Sequence, residues 1–280
     1  MIYTWSDIQL RRLKELEADS QELNLQFESA GERDKAFQQL EKKHIKKARH
    51  LLKQFREEHL RPGLCRLESV LVEVLTANGF AQVVTPTIMS RGLLAKMGID
   101  AKHPLFSQVF WLDKDRCLRP MLAPHLYYVL KDLLRLWERP VRIFEVGSCF
   151  RKESQGSRHS EEFTMLNLVE MGLPQEQRHE RLRELTSLVA KTAGLESYGF
   201  ETETSAVYGE TIDVTAGEEH IEVGSAALGP HRLDAAWRIA DTWVGIGFGL
   251  ERLLMVREKS QNLAKMGRSL SYLDGIRLNI

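Results

Sequence analysis

Phe150-Arg151-Lys152-Glu153, followed by His159 and then by Glu162-Phe163-Thr164-Met165-Leu166-Asn167, is the stretch on which the reading of this chain turns. Ahead of it, Val141 to Arg151 alternates, with Ile143, Glu145 and Gly147 on one side and Phe144, Val146 and Ser148 on the other. That period is the mark of a β-strand. Phe163 to Gly172 has the same character and is the expected antiparallel partner, which makes Lys152 to Glu162 a long polar hairpin loop. An arginine at a strand end has an anchored guanidinium, able to make forked bonds to phosphate or carboxylate. A second stretch, Gly245-Ile246-Gly247-Phe248-Gly249-Leu250-Glu251-Arg252, also ends on arginine. Leu250-Glu251-Arg252 stands where a dinucleotide-binding fingerprint would carry its last glycine, so the Rossmann context is wrong. Small residues here would instead let a ligand lie directly on the strand, with Arg252 on the first turn of a following helix.

Around these stretches the periodicities predict helices over 6–18 and 33–60, broken at Gly31, then 63–78, 123–138 and 175–194. Strands are expected at 80–88, 106–112, 116–119, 199–205, 211–215, 219–228 and 243–247, with a helix beginning near Phe248. Arg61-Pro62-Gly63 should end the second helix. A boundary there divides a helical region, 1–60, from a larger domain, 61–280. Helices followed by a run of antiparallel strands give an α+β class, an antiparallel sheet flanked by helices.

The chain has 280 residues, 43% apolar and 28% charged, with a formal net charge of zero. The balance is that of an ordinary globular protein, so a nucleic-acid partner would need a local basic patch. Lys42, Lys46, Arg49 and Lys53 form such a stripe along the second helix; Arg135, Arg139 and Arg142 are further candidates. No apolar run is long enough to span a membrane, and Met1 to Asp19 has no signal-peptide core. Cys65, Cys117 and Cys149 lack CxxC spacing, which suits a reducing cytoplasm and argues against zinc.

Taken together and in this order, the two arginine-bearing stretches resemble motifs 2 and 3 of the class II aminoacyl-tRNA synthetases. The strand ending at Pro86 resembles motif 1, which builds the dimer interface in that class. The resemblance narrows to the pyrrolysyl-tRNA synthetases on Leu118-Arg119-Pro120-Met121-Leu122-Ala123-Pro124, Leu126-Tyr127, Leu130, Asn167 and Val207-Tyr208-Gly209. It covers roughly 60–280.

The resemblance implies an ATP-dependent ligase that makes an aminoacyl adenylate and passes the acyl group to a tRNA. Arg151 would stabilise the α-phosphate. Glu153 and Phe163 would hold adenine, His159 the outer phosphates, and Arg252 would clamp the nucleotide from the opposite face. Glu222 and Ser225 would hold Mg²⁺, for which their hard oxygens are suited. Asn167 would bond the amide carbonyl of the substrate side chain, with Tyr208 closing over it. Met121, Ala123, Leu126, Tyr127, Leu130, Val169, Ala227, Trp243 and Gly245 would line a deep apolar pocket. The expected partners are a pyrrolysine-specific tRNA, a second copy of the chain, and a separate N-terminal tRNA-binding polypeptide as in the bacterial arrangement. Two other readings stand beside this one: a class II paralogue with another amino acid or acceptor, and a non-catalytic paralogue that binds an amino acid or tRNA. The intact Arg151, Glu153, Phe163 and Arg252 set argues against the second.

Overall fold

The computed structural model describes residues 2–152 and 160–280. The chain divides into two compact units, Met1–Pro62 with Ser269–Ile280, and Gly63–Arg268.

In the first unit, short polar signals set the helix starts. Ser6 and Gln9 form a reciprocal capping box for α1 (Asp7–Glu15), and Asp19 and Glu22 do the same for α2 (Ser20–Leu23). Ser29 caps α3 (Ala30–Gln54), accepting from the Glu32 amide. Gly31 therefore lies inside the first turn of α3 and is not the expected break. A cap earlier in the chain outweighs a single glycine, whose cost is only about 1 kcal/mol. The helix finishes in a π-helical turn, Phe55–His59, and left-handed Leu60 (φ 58°) stops it before Pro62 is reached. Trp5, Leu13 and Phe27 form a small core, with the Trp5 and Phe27 rings 4.5 Å apart. A C-terminal hairpin, Tyr272–Leu273 with Ile276–Arg277, joins this unit through Arg277 and Glu15 at 3.2 Å. Lys42, Lys46, Arg49 and Lys53 are exposed along α3.

Glu22 is buried among these helices. Burial alone would raise its carboxyl pKa, but bonds from Lys43 and His44, both 2.7 Å, and from the Asp19 amide outweigh it and lower the value from 4.5 to about 2. A depressed carboxylate stabilises the fold above its unfolded pKa and loses that contribution as pH falls through the folded one. The stability gap between the parent and Glu22→Gln, followed by urea unfolding, should be full above pH 4.5 and shrink towards pH 2. A gap independent of pH would refute the pairing.

The second unit runs α4 (Gly63–Ala77), β1 (Ala81–Gln82), β2 (Ile88–Ser90), α5 (Arg91–Lys96), α6 (Pro104–Gln108), β3 (Arg116–Leu118), α7 (Ala123–Leu136), β4 (Val141–Phe150), β5 (Glu162–Met171), α8 (Arg178–Ala193), β6 (Tyr198–Ser205), β7 (Gly209–Ala216), β8 (Ile221–Gly229), β9 (Trp243–Gly249) and α9 (Leu250–Arg257). Among the described residues, one seven-stranded sheet has the order β1-β4-β5-β9-β8-β7-β6, with β1 and β4 its parallel pair. α4, α8 and α9 pack on one face, where Leu71, Leu75, Phe144, Val189, Phe248 and Leu253 are fully buried. α5 and α7 pack on the other face, and α7 walls the cavity described below. No helix among the described residues is long and apolar enough to cross a membrane.

Two expected strands differ. Residues 80–88 do not form one strand: β1 joins the large sheet, and β2 pairs with β3 in a separate ladder. Pro86 lies between, without the N–H a continuous ladder needs. Residues 106–112 are not a strand either. His103 caps α6, accepting from the Leu105 amide, and Pro104 starts the helix with its preset φ, so the first residues of the expected strand are helical.

Candidate active site

A buried ion pair holds the floor of the site. Arg119 Nη1 lies 2.7 Å from Glu145 Oε1, with the side chains 5% and 1% exposed. Isolated charges at such depth would be costly, so further hydrogen bonds must compensate them. Arg119 donates to the carbonyls of Ser148 and Thr85, while Glu145 accepts from the amide and hydroxyl of Thr85. Thr85 Oγ1 also meets His125 Nδ1 at 3.2 Å, and burial, followed by the charge of Arg119, lowers the His125 pKa. The cluster fastens the segment before Pro86, the Arg119-Pro120 segment and β4 to one another. Gly147 is required, because a Cβ there would come 2.1 Å from Arg119 Nη2. Gly147→Ala should cost about 3 kcal/mol in urea unfolding, the scale of a disrupted buried pair. A loss under about 0.5 kcal/mol would mean the pair can shift freely.

Sheet register then arranges the site in rows, since directly paired residues face the same side. One row reads Glu145, Asn167, Gly247, Ser225 and Asp213 across five strands. The next reads Ile143, Val169, Gly245 and Ala227. Gly245 and Gly247 leave β9 bare between taller neighbours. A Cβ at Gly247 would meet Met165 Cε at 3.0 Å, and one at Gly245 would meet the Trp243 ring at 3.2 Å.

Glu222 and Ser225 are three residues apart, an awkward spacing for one strand face. A β-bulge resolves it. The pairing shifts between Val214 and Thr215, so that Val214 opposes Gly224 while Thr215 opposes Glu222. Val223 and Gly224 both turn toward the helical side, and Glu222 and Ser225 return to the cavity. Gly224 has to be small: a Cβ would lie 2.6 Å from the Phe248 ring and 2.7 Å from the Gly247 carbonyl.

These rows floor a cavity of about 500 Å³. Met121, Ala123, Leu126, Tyr127 and Leu130 enter it from α7 and the segment before it. Asn167, Val169, Ala227, Trp243 and Gly245 face it from the sheet, and Tyr208 from the β6–β7 turn. At the other end stand Arg151, Phe163, Glu222, Ser225 and Arg252. The structure thus gathers all of these sequence-predicted residues round one space. Glu153 and His159 lie outside the described residues.

The polar end is ordered before any ligand arrives. Arg151 Nε donates to the Pro120 carbonyl at 2.9 Å, and its guanidinium lies 5.3 Å from the centre of the Phe163 ring. Arg252 Nη1 bonds both the carbonyl and the carboxylate of Glu222, each at 3.0 Å. Ser225 Oγ donates to Asp213 at 2.6 Å, which directs its lone pairs elsewhere. Glu251, which precedes Arg252, is buried and accepts from the Thr164 amide at 2.9 Å, tying α9 to β5. Burial raises its pKa against that bond and the charge of Arg268.

Sequence reasoning missed the support behind the apolar end. Asp234, 2% exposed, accepts from the Tyr127 hydroxyl and from Trp243 Nε1, both at 2.8 Å, and from the His231 amide at 2.6 Å. Tyr127 is pushed far above its ordinary pKa by burial, then by Tyr208 and Asp234. Gly229 opens room for the Trp243 indole, which a Cβ would overlap at 1.8 Å. Asp234 is the N3 residue of a capping box headed by a histidine. The usual box signature begins with Ser, Thr, Asp or Asn, so nothing local marked it. The three arginines expected to contact tRNA have acidic neighbours. Arg142 pairs with Glu170 at 3.2 Å, Arg139 is forked to Asp241, and Arg135 lies exposed beside Asp132.

Comparison with known proteins agrees with this geometry. The family model for the class II tRNA synthetase core domain (F) matches residues 49–274. A crystal structure of pyrrolysyl-tRNA synthetase from Desulfitobacterium hafniense is 53% identical, with a TM-score of 0.90, covering 99% of each chain. A second structure of the pyrrolysyl enzyme from that organism is 52% identical, with a TM-score of 0.88, covering 99% of this chain and 96% of that one. Among curated relatives, a threonine–tRNA ligase of Azobacteroides pseudotrichonymphae is 34% identical over 98 residues, 32% of this chain and 15% of that protein. A lysine–tRNA ligase of Mycoplasmoides gallisepticum is 28% identical over 139 residues, 50% of this chain and 26% of the other.

Proposed function

The chain belongs to the class II aminoacyl-tRNA synthetases, within the pyrrolysyl-tRNA synthetase family, and we propose that it activates pyrrolysine with ATP and transfers it to a cognate tRNA. The amino-acid carboxylate attacks the α-phosphate of ATP, forming a mixed anhydride with AMP while the bond to the β-phosphate breaks and pyrophosphate leaves. The terminal ribose hydroxyl of the tRNA then takes the acyl group and AMP leaves. No protein nucleophile is needed; fixed charge and positioning carry the catalysis.

The observation that carries this reading is Asn167. It stands on the sheet floor between Glu145 and Gly247, at the junction of the polar and apolar ends, and its amide has no hydrogen-bond partner among the described residues. A neutral amide deep in an apolar cavity suits a bulky uncharged side chain that carries its own amide. Free lysine would have to bury an ammonium there. The nearby Asp234 carboxylate is already occupied by Tyr127, Trp243 and the His231 amide.

At the polar end Arg151 would hold the α-phosphate, and Phe163, beneath it, would stack on adenine. Glu222 and Arg252 neutralise each other in the free protein. A nucleotide with Mg²⁺ would exchange that pair, phosphate taking Arg252 and the cation taking Glu222 with Ser225. Two hard oxygen donors on the cavity wall fit an ion that otherwise relies on phosphate and water. When bound, Mg²⁺ would supply charge neutralisation for the phosphates.

Exposed Val84 (86%), Leu112 (51%) and Ile88 (48%), on either side of Pro86 or against β3, support a homodimer at the motif 1 face. The reduced thiols of Cys65, Cys117 and Cys149 suit the cytoplasm, where tRNA is charged. The exposed stripe on α3 would contact tRNA phosphates, alongside a separate N-terminal tRNA-binding polypeptide.

Arg151→Ala should reduce ATP–pyrophosphate exchange about a hundred- to thousandfold while the fold persists. Asn167→Ala should raise the KM for pyrrolysine at least about tenfold and leave the KM for ATP unchanged. Parent-like exchange in the first, or unchanged amino-acid KM in the second, would contradict the assigned role. Replacing Lys42, Lys46, Arg49 and Lys53 by glutamate should weaken tRNA binding and flatten its salt dependence without changing exchange. An unaltered salt slope would remove the stripe from the interface.

A further inference from the structure

Two histidines in separate segments make the same pair of bonds. His231 Nδ1 accepts from the Leu233 amide at 3.2 Å, and Nε2 lies 2.8 Å from the Tyr208 carbonyl. His103 Nδ1 accepts from the Leu105 amide at 3.1 Å, and Nε2 lies 3.2 Å from the Ala206 carbonyl. With Nδ1 facing an N–H donor and Nε2 facing a carbonyl, each ring is fixed as the neutral tautomer protonated on Nε2. Each imidazole therefore caps a short helix with one nitrogen and grips the β6–β7 turn with the other.

We propose that His103 and His231 are positioning residues that latch the turn at 206–208 over the amino-acid end of the cavity. The proposal rests on the reading of that end as the amino-acid pocket. Only the base of this turn is held by strand pairing, which stops at Ser205 and Gly209. Within it, the amides of Val207 and Tyr208 turn back to Ser205 Oγ at 3.2 and 3.4 Å, so its local bonds do not fix it to the cavity. The histidines do so from two sides. His231 is itself stiffened, since its amide donates to Asp234, which also holds Tyr127 and Trp243. The Tyr208 ring stands 5.6 Å from that of His231 and 6.2 Å from Trp243. The walls and cover of the cavity thus share one anchor. A latched Tyr208 holds the amino acid and its adenylate; a loose one lets them escape.

Asparagine separates the two roles of each ring. At a helix N-cap it still accepts from the amide two residues on, but it is too short to reach the turn. In His103→Asn and His231→Asn, each loss of one hydrogen bond should raise the KM for pyrrolysine about fivefold. The double variant should raise it further, with more AMP released in the absence of tRNA, while the KM for ATP and the melting midpoint stay near those of the parent. Parent-like kinetics in both variants would overturn the latch. So would equal rises in both KM values with a lowered melting midpoint, the pattern of a general structural role. Tyr208→Ala distinguishes the two levels. If it raises the amino-acid KM while the asparagine variants do not, the latch alone is wrong. If it leaves that KM unchanged, the pocket reading is wrong and the latch falls with it.

Discussion

The Arg119–Glu145 pair is the constraint on which the site depends. It lies where three separate stretches meet: the segment before Pro86, the turn into α7, and β4. Each contributes polar groups that could not be buried alone. Gathered together they satisfy one another, which favours one relative arrangement of the three stretches. Arg151 inherits its position from this cluster, since its Nε bonds the carbonyl of Pro120, next to Arg119. The wall of α7 begins a few residues further on. The cluster therefore sets the distance between Arg151 and the apolar end of the cavity.

From this anchor the sheet acts as a ruler. Register places Asn167 opposite Gly247, and Val169 opposite Gly245, so that each side chain rises beside a glycine. The bulge in β8 turns two oxygen-bearing side chains to the same face where regular alternation would part them. Small residues and one irregularity thus create a concave surface on an otherwise ordinary antiparallel sheet. The opposite face, packed with Leu, Val and Phe against three helices, keeps that surface rigid.

Much of this was legible in the sequence because it is local. Strand alternation around Glu145 and Asn167 fixes which residues share a face, and the helix periods of α4, α7 and α8 fix what covers the sheet. The apolar pocket residues and Asn167 were reached only through resemblance, since buried Leu, Val and Trp look the same in a core and in a pocket. What was not legible depends on pairing between distant segments. The bulge requires knowing that β7 lies beside β8. Asp234 gives no local signal, because its partners Tyr127 and Trp243 come from other elements and its capping box is headed by a histidine. The strand expected at 106–112, joined to 116–119 by the turn at Asp113-Lys114-Asp115, gives way for a related reason: the histidine cap and the proline that start α6 lie ahead of it. Glu153 and His159 lie outside the described residues.

Substrate choice is the central claim, and ATP–pyrophosphate exchange by the purified protein tests it most directly. Pyrrolysine should drive exchange while the standard amino acids, lysine and phenylalanine among them, do not. Exchange driven by a standard amino acid and not by pyrrolysine would contradict the assignment of the Asn167 pocket, leaving the class II fold in place.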